Sequence, residues 1–287
     1  MENVLIVVPC YNEEVRLPAG NFTRFVREHP EIGFLFVNDG STDGTEEVLR
    51  TLCRTAPSSL RLITLERNLG KAEAVRRGVL DALGHCEKGY VGFWDADLAT
   101  PLEAISTFVQ VHDEHPDLIL VMGARVQLLG RRIIRRARRH YAGRVFATAA
   151  SVILSLPVYD TQCGAKLFRV AALTRRVFQE PFEARWIFDV EILARMTRYY
   201  RLATGFGIEN LVYEVPLVQW QDVKGSKVRA RDYLVALRDL LLIRDLYMRG
   251  LPTAPQARAA PRSKLLGSTL RARRRSESPS TSQPVRE

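Results

Sequence analysis

The 287 residues carry a formal charge of +10 at pH 7, a mean hydropathy of −0.10 and 46% hydrophobic residues, enough apolar material for one large core or two small ones. The charge is uneven: residues 251–287 hold eight Lys/Arg against two Glu and Arg125 to Arg144 holds eight Arg and no acid, so two basic segments sit on a mildly acidic body and point to an anionic surface or ligand. The longest uncharged stretch, Val145 to Tyr159, is 15 residues with Pro157 inside it, short of the ~20 that span a bilayer, and no secretory leader precedes the first strand, so the expectation is a soluble or peripheral protein and not an integral one.

Val4 to Val8 reads as a continuous apolar strand of the buried parallel type, ended by Pro9. The polar loop Cys10-Tyr11-Asn12-Glu13-Glu14 follows, then a helix over roughly 21–28. A second strand, Phe34 to Val37, runs into Asn38-Asp39-Gly40-Ser41-Thr42-Asp43-Gly44-Thr45, which mixes turn glycines with capping Ser, Thr and Asp, and a helix continues to Cys53. Leu60 to Leu65 is a third strand, Arg67-Asn68-Leu69-Gly70-Lys71 its loop, and Ala72 to Leu83 the next helix.

The apolar run Tyr90 to Trp94 is a fourth strand, closed by Asp95-Ala96-Asp97, with Pro101 opening another helix at a position where its missing N–H is harmless. Leaving the strand frees Asp97 from the alternation of faces, so both carboxylates can turn to one place. Two such acids at the carboxyl edge of an α/β sheet suit a divalent cation that in turn holds phosphates. An isolated pair of this kind is more often a helix cap beside a solvated acid; the surrounding loops overturn that here. Four strand–loop–helix units in about 100 residues predict a parallel sheet wound by right-handed crossovers, with each polar cluster just after a strand.

Neither a Gly-x-Gly-x-x-Gly dinucleotide turn nor a phosphate-loop Gly-x-x-x-x-Gly-Lys is present. The four loops instead offer side chains and a metal: Tyr11 against a base, Asp39 accepting from base or ribose, Lys71 on phosphate. Taken singly, each has a plainer reading as loop packing, a cap and a solvated lysine.

Further on, Leu118 to Met122 is a strand ending in Gly123-Ala124-Arg125. Arg131 to Arg144 permits a basic amphipathic helix, with Ile133, Ile134, Ala137, Tyr141 and Val145 at spacings of three to four, and the apolar segment Val145 to Leu156 follows. Such a face can lie in a membrane interface, or pack on the core with its charges solvated. Phe182 to Tyr199 reads as a helix presenting Asp189 and Glu191, which diverge too far around the axis for both to face one site. Glu209 to Pro216 is a late strand that Val218 to Trp220 continues irregularly; Lys224-Gly225-Ser226-Lys227 is a donor-rich loop able to close over a diphosphate, and Asp232 to Met248 a Leu-rich amphipathic helix, read as docked on the domain. Beyond Gly250 the Ala/Pro/Ser/Arg composition predicts a disordered basic tail, leaving residues 1–250 as the folded domain. Cys10, Cys53, Cys86 and Cys163 are widely spaced without a Cys-x-x-Cys, as in reduced thiols of a cytoplasmic protein.

The blocks Val8 to Glu14, Val37 to Thr45, Asn68 to Gly78 and Asp95 to Asp97 resemble, in order and spacing, the inverting family 2 glycosyltransferases. Asn38 stands where that family often has Asp. The blocks Asp160-Thr161-Gln162-Cys163-Gly164-Ala165-Lys166-Leu167-Phe168, Arg185 to Glu191 and Gly225-Ser226-Lys227 resemble its dolichyl-phosphate β-glucosyltransferase branch, with looser versions in the dolichyl-phosphate mannose synthases; Gly123-Ala124-Arg125 is similar to a Gly-Ser-Arg found there. The eukaryotic members carry an N-terminal hydrophobic anchor and many bacterial ones C-terminal membrane helices, neither of which this sequence shows.

The resemblance implies an α/β fold of the GT-A type, a single Rossmann-like domain with a mostly parallel sheet flanked by helices. It implies a donor site of Pro9, Tyr11, Asn12, Glu13, Asp39, Gly70, Lys71, Asp95, Ser226 and Lys227, with Mg²⁺ or Mn²⁺ on Asp95 and Asp97. Asp160 is then expected beside the reacting carbon and Asp189 near the acceptor, with Arg125, Arg139 and Arg144 holding an acceptor phosphate. The implied reaction moves glucose from UDP-glucose to a polyprenyl phosphate, the enzyme lying peripherally on the anionic cytoplasmic face of a membrane. The competing readings are a GDP-mannose-dependent polyprenyl-phosphate mannosyltransferase, a soluble family 2 enzyme with a hydroxyl acceptor, and a nucleic-acid-binding protein. The last finds no recognition motif and leaves the paired aspartates unexplained, so no nucleic-acid partner is expected.

Overall fold

The computed structural model describes residues 4–134, 137–221 and 230–252, with the backbone alone for 137–142 and 230–234. A seven-stranded sheet in the order β3-β2-β1-β4-β7-β5-β8 runs through the centre. Strands β1 (Val4–Cys10), β2 (Ile32–Asn38), β3 (Leu60–Thr64) and β4 (Tyr90–Trp94) are mutually parallel; β5 (Leu120–Ala124) and β8 (Val212–Pro216) pair in parallel, and β7 (Ala165–Arg169) lies antiparallel between β4 and β5. The expected mostly parallel α/β sheet is observed, with one strand reversed.

The continuous apolar runs follow from burial on both faces. Ile6, Val8, Phe34 and Phe36 point to a core shared with Phe22, Phe25, Leu49 and Phe108 of α1 (Ala19–Glu28), α2 (Thr45–Thr55) and α4 (Ala104–Glu114). Val7, Val37, Val91 and Phe93 alternate with them onto the other face. There they meet α3 (Lys71–His85), α5 (Ala137–Leu154), α6 (Ala172–Gln179), α7 (Phe188–Thr204) and α8 (Ala230–Ile243). Phe22 sits edge-on to Phe34 and Phe36 at 5.2 and 5.0 Å, fixing α1 over β2.

The chain winds from β1 outward to β3, then returns to place β4 on the other side of β1. At such a reversal neighbouring loops leave in opposite directions and open a crevice at the carboxyl ends of the strands. The loops after β1, β2, β3 and β4 all project there.

Two elements differ from expectation. Arg131 to Arg144 is not one helix: Arg132–Ile134 is a short strand, β6, parallel to β9 (Gln219–Gln221), with Ile133 opposite Trp220, and α5 starts only at Ala137. β-branched Ile133 is buried at 8% exposure against Trp220, itself 8% exposed, and that packing overrides the helical spacing. The helix expected from Phe182 begins at Phe188, because Arg195 donates to the carbonyls of Val177, Glu180 and Pro181 and holds the segment before α7 as an irregular turn. α8 ends in a π-helical turn, Arg244–Met248, whose Tyr247 hydroxyl donates to Glu191 Oε1 at 2.8 Å. The expected tail falls almost wholly on residues 253–287, outside the described residues.

Candidate active site

Asp39 ties together the loops after β1, β2 and β3. Its backbone N–H donates to the carbonyl of Cys10 at 2.8 Å, and its carboxylate, 2% exposed, accepts from Leu69 N–H (2.7 Å), Gly70 N–H (2.9 Å) and Asn68 Nδ2 (3.0 Å). Burial raises its pKa, and the two backbone donors oppose that rise. The sequence offered this carboxylate to a nucleotide; in the structure it draws in the loop before α3. Gly70, at φ +93, supplies the left-handed turn that places Lys71 at the first position of the helix.

Lys71 Nζ lies 2.5 Å from Asp95 Oδ1, both side chains being about two-fifths exposed. Burial of the ammonium works against its charge, but Asp95, Asp189 and Asp97 outweigh it and the pKa is raised. Asp97 sits two residues beyond, its Oδ1 accepting from Ala99 N–H at 3.1 Å and its Oδ2 3.6 Å from Arg16 Nη2. Burial first, and Asp95 second, raise the Asp97 pKa. Leu98 takes a left-handed φ of 50° to turn the loop, a conformation costing ~1–3 kcal/mol that packing must offset.

Asn12, also left-handed at φ 52°, is used structurally: its amide oxygen accepts from Thr42 N–H at 2.9 Å, and Ser41 Oγ accepts from Asn12 N–H at 3.1 Å. Glu13 N–H donates to Thr45 Oγ1 at 2.8 Å, so the loops after β1 and β2 are stitched together. Pro9 pairs in register with Val37 at the end of β1, and Tyr11 follows half-buried at the rim.

Opposite this cluster runs the loop 155–164. Asp160 is 7% exposed and accepts from Arg125 Nε at 2.6 Å, Arg125 Nη2 at 2.7 Å and Arg125 N–H at 3.0 Å. Burial disfavours the guanidinium charge, yet Asp160 overcompensates and the Arg125 pKa is raised. The Arg125 guanidinium also lies 5.2 Å from the Trp220 ring centroid. Arg144 Nη1 donates to Tyr159 O at 3.1 Å and stacks 3.8 Å over the Tyr159 ring. Two arginines expected at the acceptor phosphate therefore meet at Tyr159 and Asp160. The Arg139 side chain, Ser226 and Lys227 lie outside the described residues.

Asp189, in the first turn of α7, is 5% exposed and pairs with Lys166 Nζ at 2.5 Å. Glu191 faces away from the crevice and accepts from Arg195 Nη2 at 2.7 Å, which agrees with the divergence read from their spacing. The two sides of the crevice are joined by Asp95 N–H donating to Gly164 O at 3.0 Å. A Cβ at Gly164 would collide with the Asp95 carboxylate, so a larger residue there must push that side chain from its present place. Sequence reasoning assigned no role to Arg16, Lys166 or Glu214. Lys166 had a signal, a charge set between the apolar residues Ala165 and Leu167 within the strand Ala165–Arg169.

Among the described residues no cluster of three or more His, Cys, Asp or Glu forms a ready metal cage. The donor set nevertheless fits Mg²⁺ or Mn²⁺: two hard carboxylates on one tight loop, one of them with a pKa raised by burial and then by its neighbour. Such ions are held through one or two carboxylates, with the remaining positions on phosphate and water.

Residues 5–176 match the family model described as Glycosyl transferase family 2. The dolichyl-phosphate beta-glucosyltransferase of Dictyostelium discoideum is 30% identical over 266 residues, covering 86% of this chain and 75% of that protein. Its Mus musculus counterpart is 33% identical over 270 residues, covering 89% and 79%. Among solved structures, glucosyl-3-phosphoglycerate synthase from Mycobacterium tuberculosis in complex with Mn²⁺ and UDP-glucose superposes with a TM-score of 0.56 at 18% identity, covering 88% of this chain and 81% of that one.

Proposed function

The chain belongs to glycosyl transferase family 2, and from that premise we propose that it transfers glucose from UDP-glucose to a polyprenyl phosphate, with inversion, at the cytoplasmic surface of a membrane. The observation that carries the reading is the two-sided crevice. Lys71, Asp95 and Asp97 line one side and the Arg125–Asp160 pair the other, tied by the bond from Asp95 to Gly164. The relatives named above, whose acceptor is dolichyl phosphate by name, support the acceptor class.

Asp97, with Asp95, would hold Mg²⁺ or Mn²⁺, which when bound neutralises charge on the leaving UDP. Lys71, close to Asp95 and Asp97, adds a second positive charge to the diphosphate side. Asp39 keeps Lys71 at the head of α3. On the other side a phosphate monoester, with a second pKa near ~6, is already largely dianionic at neutral pH. It needs orientation more than deprotonation. Arg125, oriented by Asp160, and Arg144 bring two guanidinium charges toward its oxygens.

Among the described residues no helix is long and apolar enough to cross a membrane. A peripheral contact is supported by α8. Leu240 and Ile243 are fully buried on one side, while Leu237, Leu241, Leu242 and Leu246 on the other remain 55, 46, 37 and 44% exposed. Arg238 and Arg244 stand among these leucines, each paired with the acid that follows it, Asp239 and Asp245, so the leucines are the face offered to a lipid interface.

A thermal-shift panel of nucleotide-sugars with and without Mn²⁺, followed by transfer of labelled sugar to a polyprenyl phosphate, tests the proposal. The expected result is Mn²⁺-dependent stabilisation by UDP-glucose and a lipid-linked glucose product. Stabilisation by GDP-mannose alone, or transfer only to a free hydroxyl, would overturn it.

A further inference from the structure

The segment from Tyr159 to Gly164 is gripped by two ions of opposite sign, a half-buried carboxylate and a fully buried ammonium. At its start, the Glu214 carboxylate on β8 accepts from two consecutive backbone donors, Tyr159 N–H and Asp160 N–H, each at 2.8 Å. At its end, Lys166 Nζ on β7 donates to two backbone acceptors, Thr161 O at 3.0 Å and Cys163 O at 2.8 Å. The third ammonium proton of Lys166 goes to Asp189 Oδ1. Lys166 has 0% side-chain exposure, and all three of its donors are satisfied by this arrangement.

We propose that Glu214 and Lys166 are positioning residues: together they set where the Tyr159–Gly164 segment presents the Asp160–Arg125 pair relative to Asp95. The inference rests on the reading of this crevice as a transferase site. The polarity makes the grip directional. An anion can hold only the N–H groups and a cation only the carbonyls, so the segment is oriented as well as anchored. Each downstream contact then follows. Asp160, fixed by its own N–H, meets Arg125 just after β5; Gly164 O, one residue beyond the Cys163 carbonyl that Lys166 holds, accepts from Asp95 N–H at 3.0 Å. A buried ion left without its partners costs several kcal/mol, which explains why a lysine stands between apolar residues of β7 only where three acceptors converge.

The deciding variant is Glu214→Gln, which keeps size and one acceptor oxygen but turns an N–H₂ donor toward a backbone N–H. Two measurements are made on the full chain. Hydrogen exchange, which needs no substrate, should show faster exchange at the Tyr159 and Asp160 amides by about tenfold, with β1, β2 and α3 unchanged. Steady-state transfer should show kcat/KM for polyprenyl phosphate lowered about tenfold, while UDP binding with Mn²⁺ keeps its wild-type Kd. Glu214→Asp, one methylene shorter, retains the charge and should recover part of both effects. Faster exchange spread evenly over the sheet, equal loss of UDP binding, or unchanged acceptor kinetics would each overturn the positioning role. If wild-type protein transfers no sugar, the functional reading fails, while the exchange result still decides whether Glu214 holds the segment.

Discussion

Arg125 and Asp160, 35 residues apart, form a forked contact: Nε reaches Oδ2 at 2.6 Å and Nη2 reaches Oδ1 at 2.7 Å, with side chains 13 and 8% exposed. A planar guanidinium matches a carboxylate in this way and a lysine cannot. Arg125→Ala should therefore remove the guanidinium fork from a buried carboxylate and lower unfolding free energy by ~3 kcal/mol. Arg125→Lys should recover part of that stability but little transfer, since the fork is lost. Urea unfolding and acceptor kinetics on the pair of variants check this; equal recovery of both by lysine would contradict it.

Asp97 is the carboxylate on the loop after β4 that is free of the Lys71 contact. Asp97→Ala should remove the Mn²⁺-dependent rise in melting temperature with UDP and abolish transfer, while leaving the metal-free protein folded. Calorimetric titration of Mn²⁺ in the presence of UDP measures the first directly. Retention of wild-type transfer in EDTA would show that the assignment of the cation to this loop is wrong.

The exposed leucines of α8 bear on membrane contact. Replacing Leu237 and Leu241 with Ser should weaken partition onto anionic vesicles by about tenfold, from the apolar area no longer removed from water. Partition of the wild type should fall as salt rises, because charges beyond ~10 Å are screened at 0.1 M. Co-sedimentation with neutral and anionic vesicles over a salt series provides the measurement. Full activity on lipid-borne acceptor with no loss of partition would exclude this face.

His112 gives a pH signature unconnected with the reaction. It is fully buried, stacks on Tyr90 at 4.7 Å, and its Nε2 donates to Leu167 O at 3.1 Å. Burial pushes its pKa down from 6.5 to about 4, the Leu167 carbonyl acting in the other direction. The unfolded chain therefore binds a proton that the folded chain refuses. Stability is fully present above pH 6.5 and falls as pH drops toward about 4. His112→Gln, which can still donate to Leu167 O, should flatten that limb of the stability curve. An unchanged slope between those pH values would refute the assignment.

The first four strands and their loops were legible because the information is local. Runs such as Leu5-Ile6-Val7-Val8 must be buried on both faces, and the Gly, Asp, Ser and Thr that follow can only turn and cap. The same locality made the Asp95–Asp97 loop readable, since a strand end frees both carboxylates wherever the strand lies in the sheet. The divergence of Asp189 and Glu191 needed only helical geometry.

The basic segment was misread for the converse reason. Ile133 and Ile134 satisfy a helical spacing, and only Trp220, 87 residues later in the chain, turns Arg132–Ile134 into a strand. Asp39 reads in the sequence as a nucleotide contact or a cap, and its partners, Asn68, Leu69 and Gly70, come from the loop after β3, beyond the reach of any local pattern. The wall of the crevice around Asp160 was decided by tertiary structure alone. Once β7 is inserted antiparallel between β4 and β5, Lys166 points at Asp189, Arg125 meets Asp160 and Glu214 reaches Tyr159 N–H. A buried charge takes whichever partner the strand order brings within hydrogen-bond reach, and strand order is set by packing of the whole sheet and not by any neighbour in sequence.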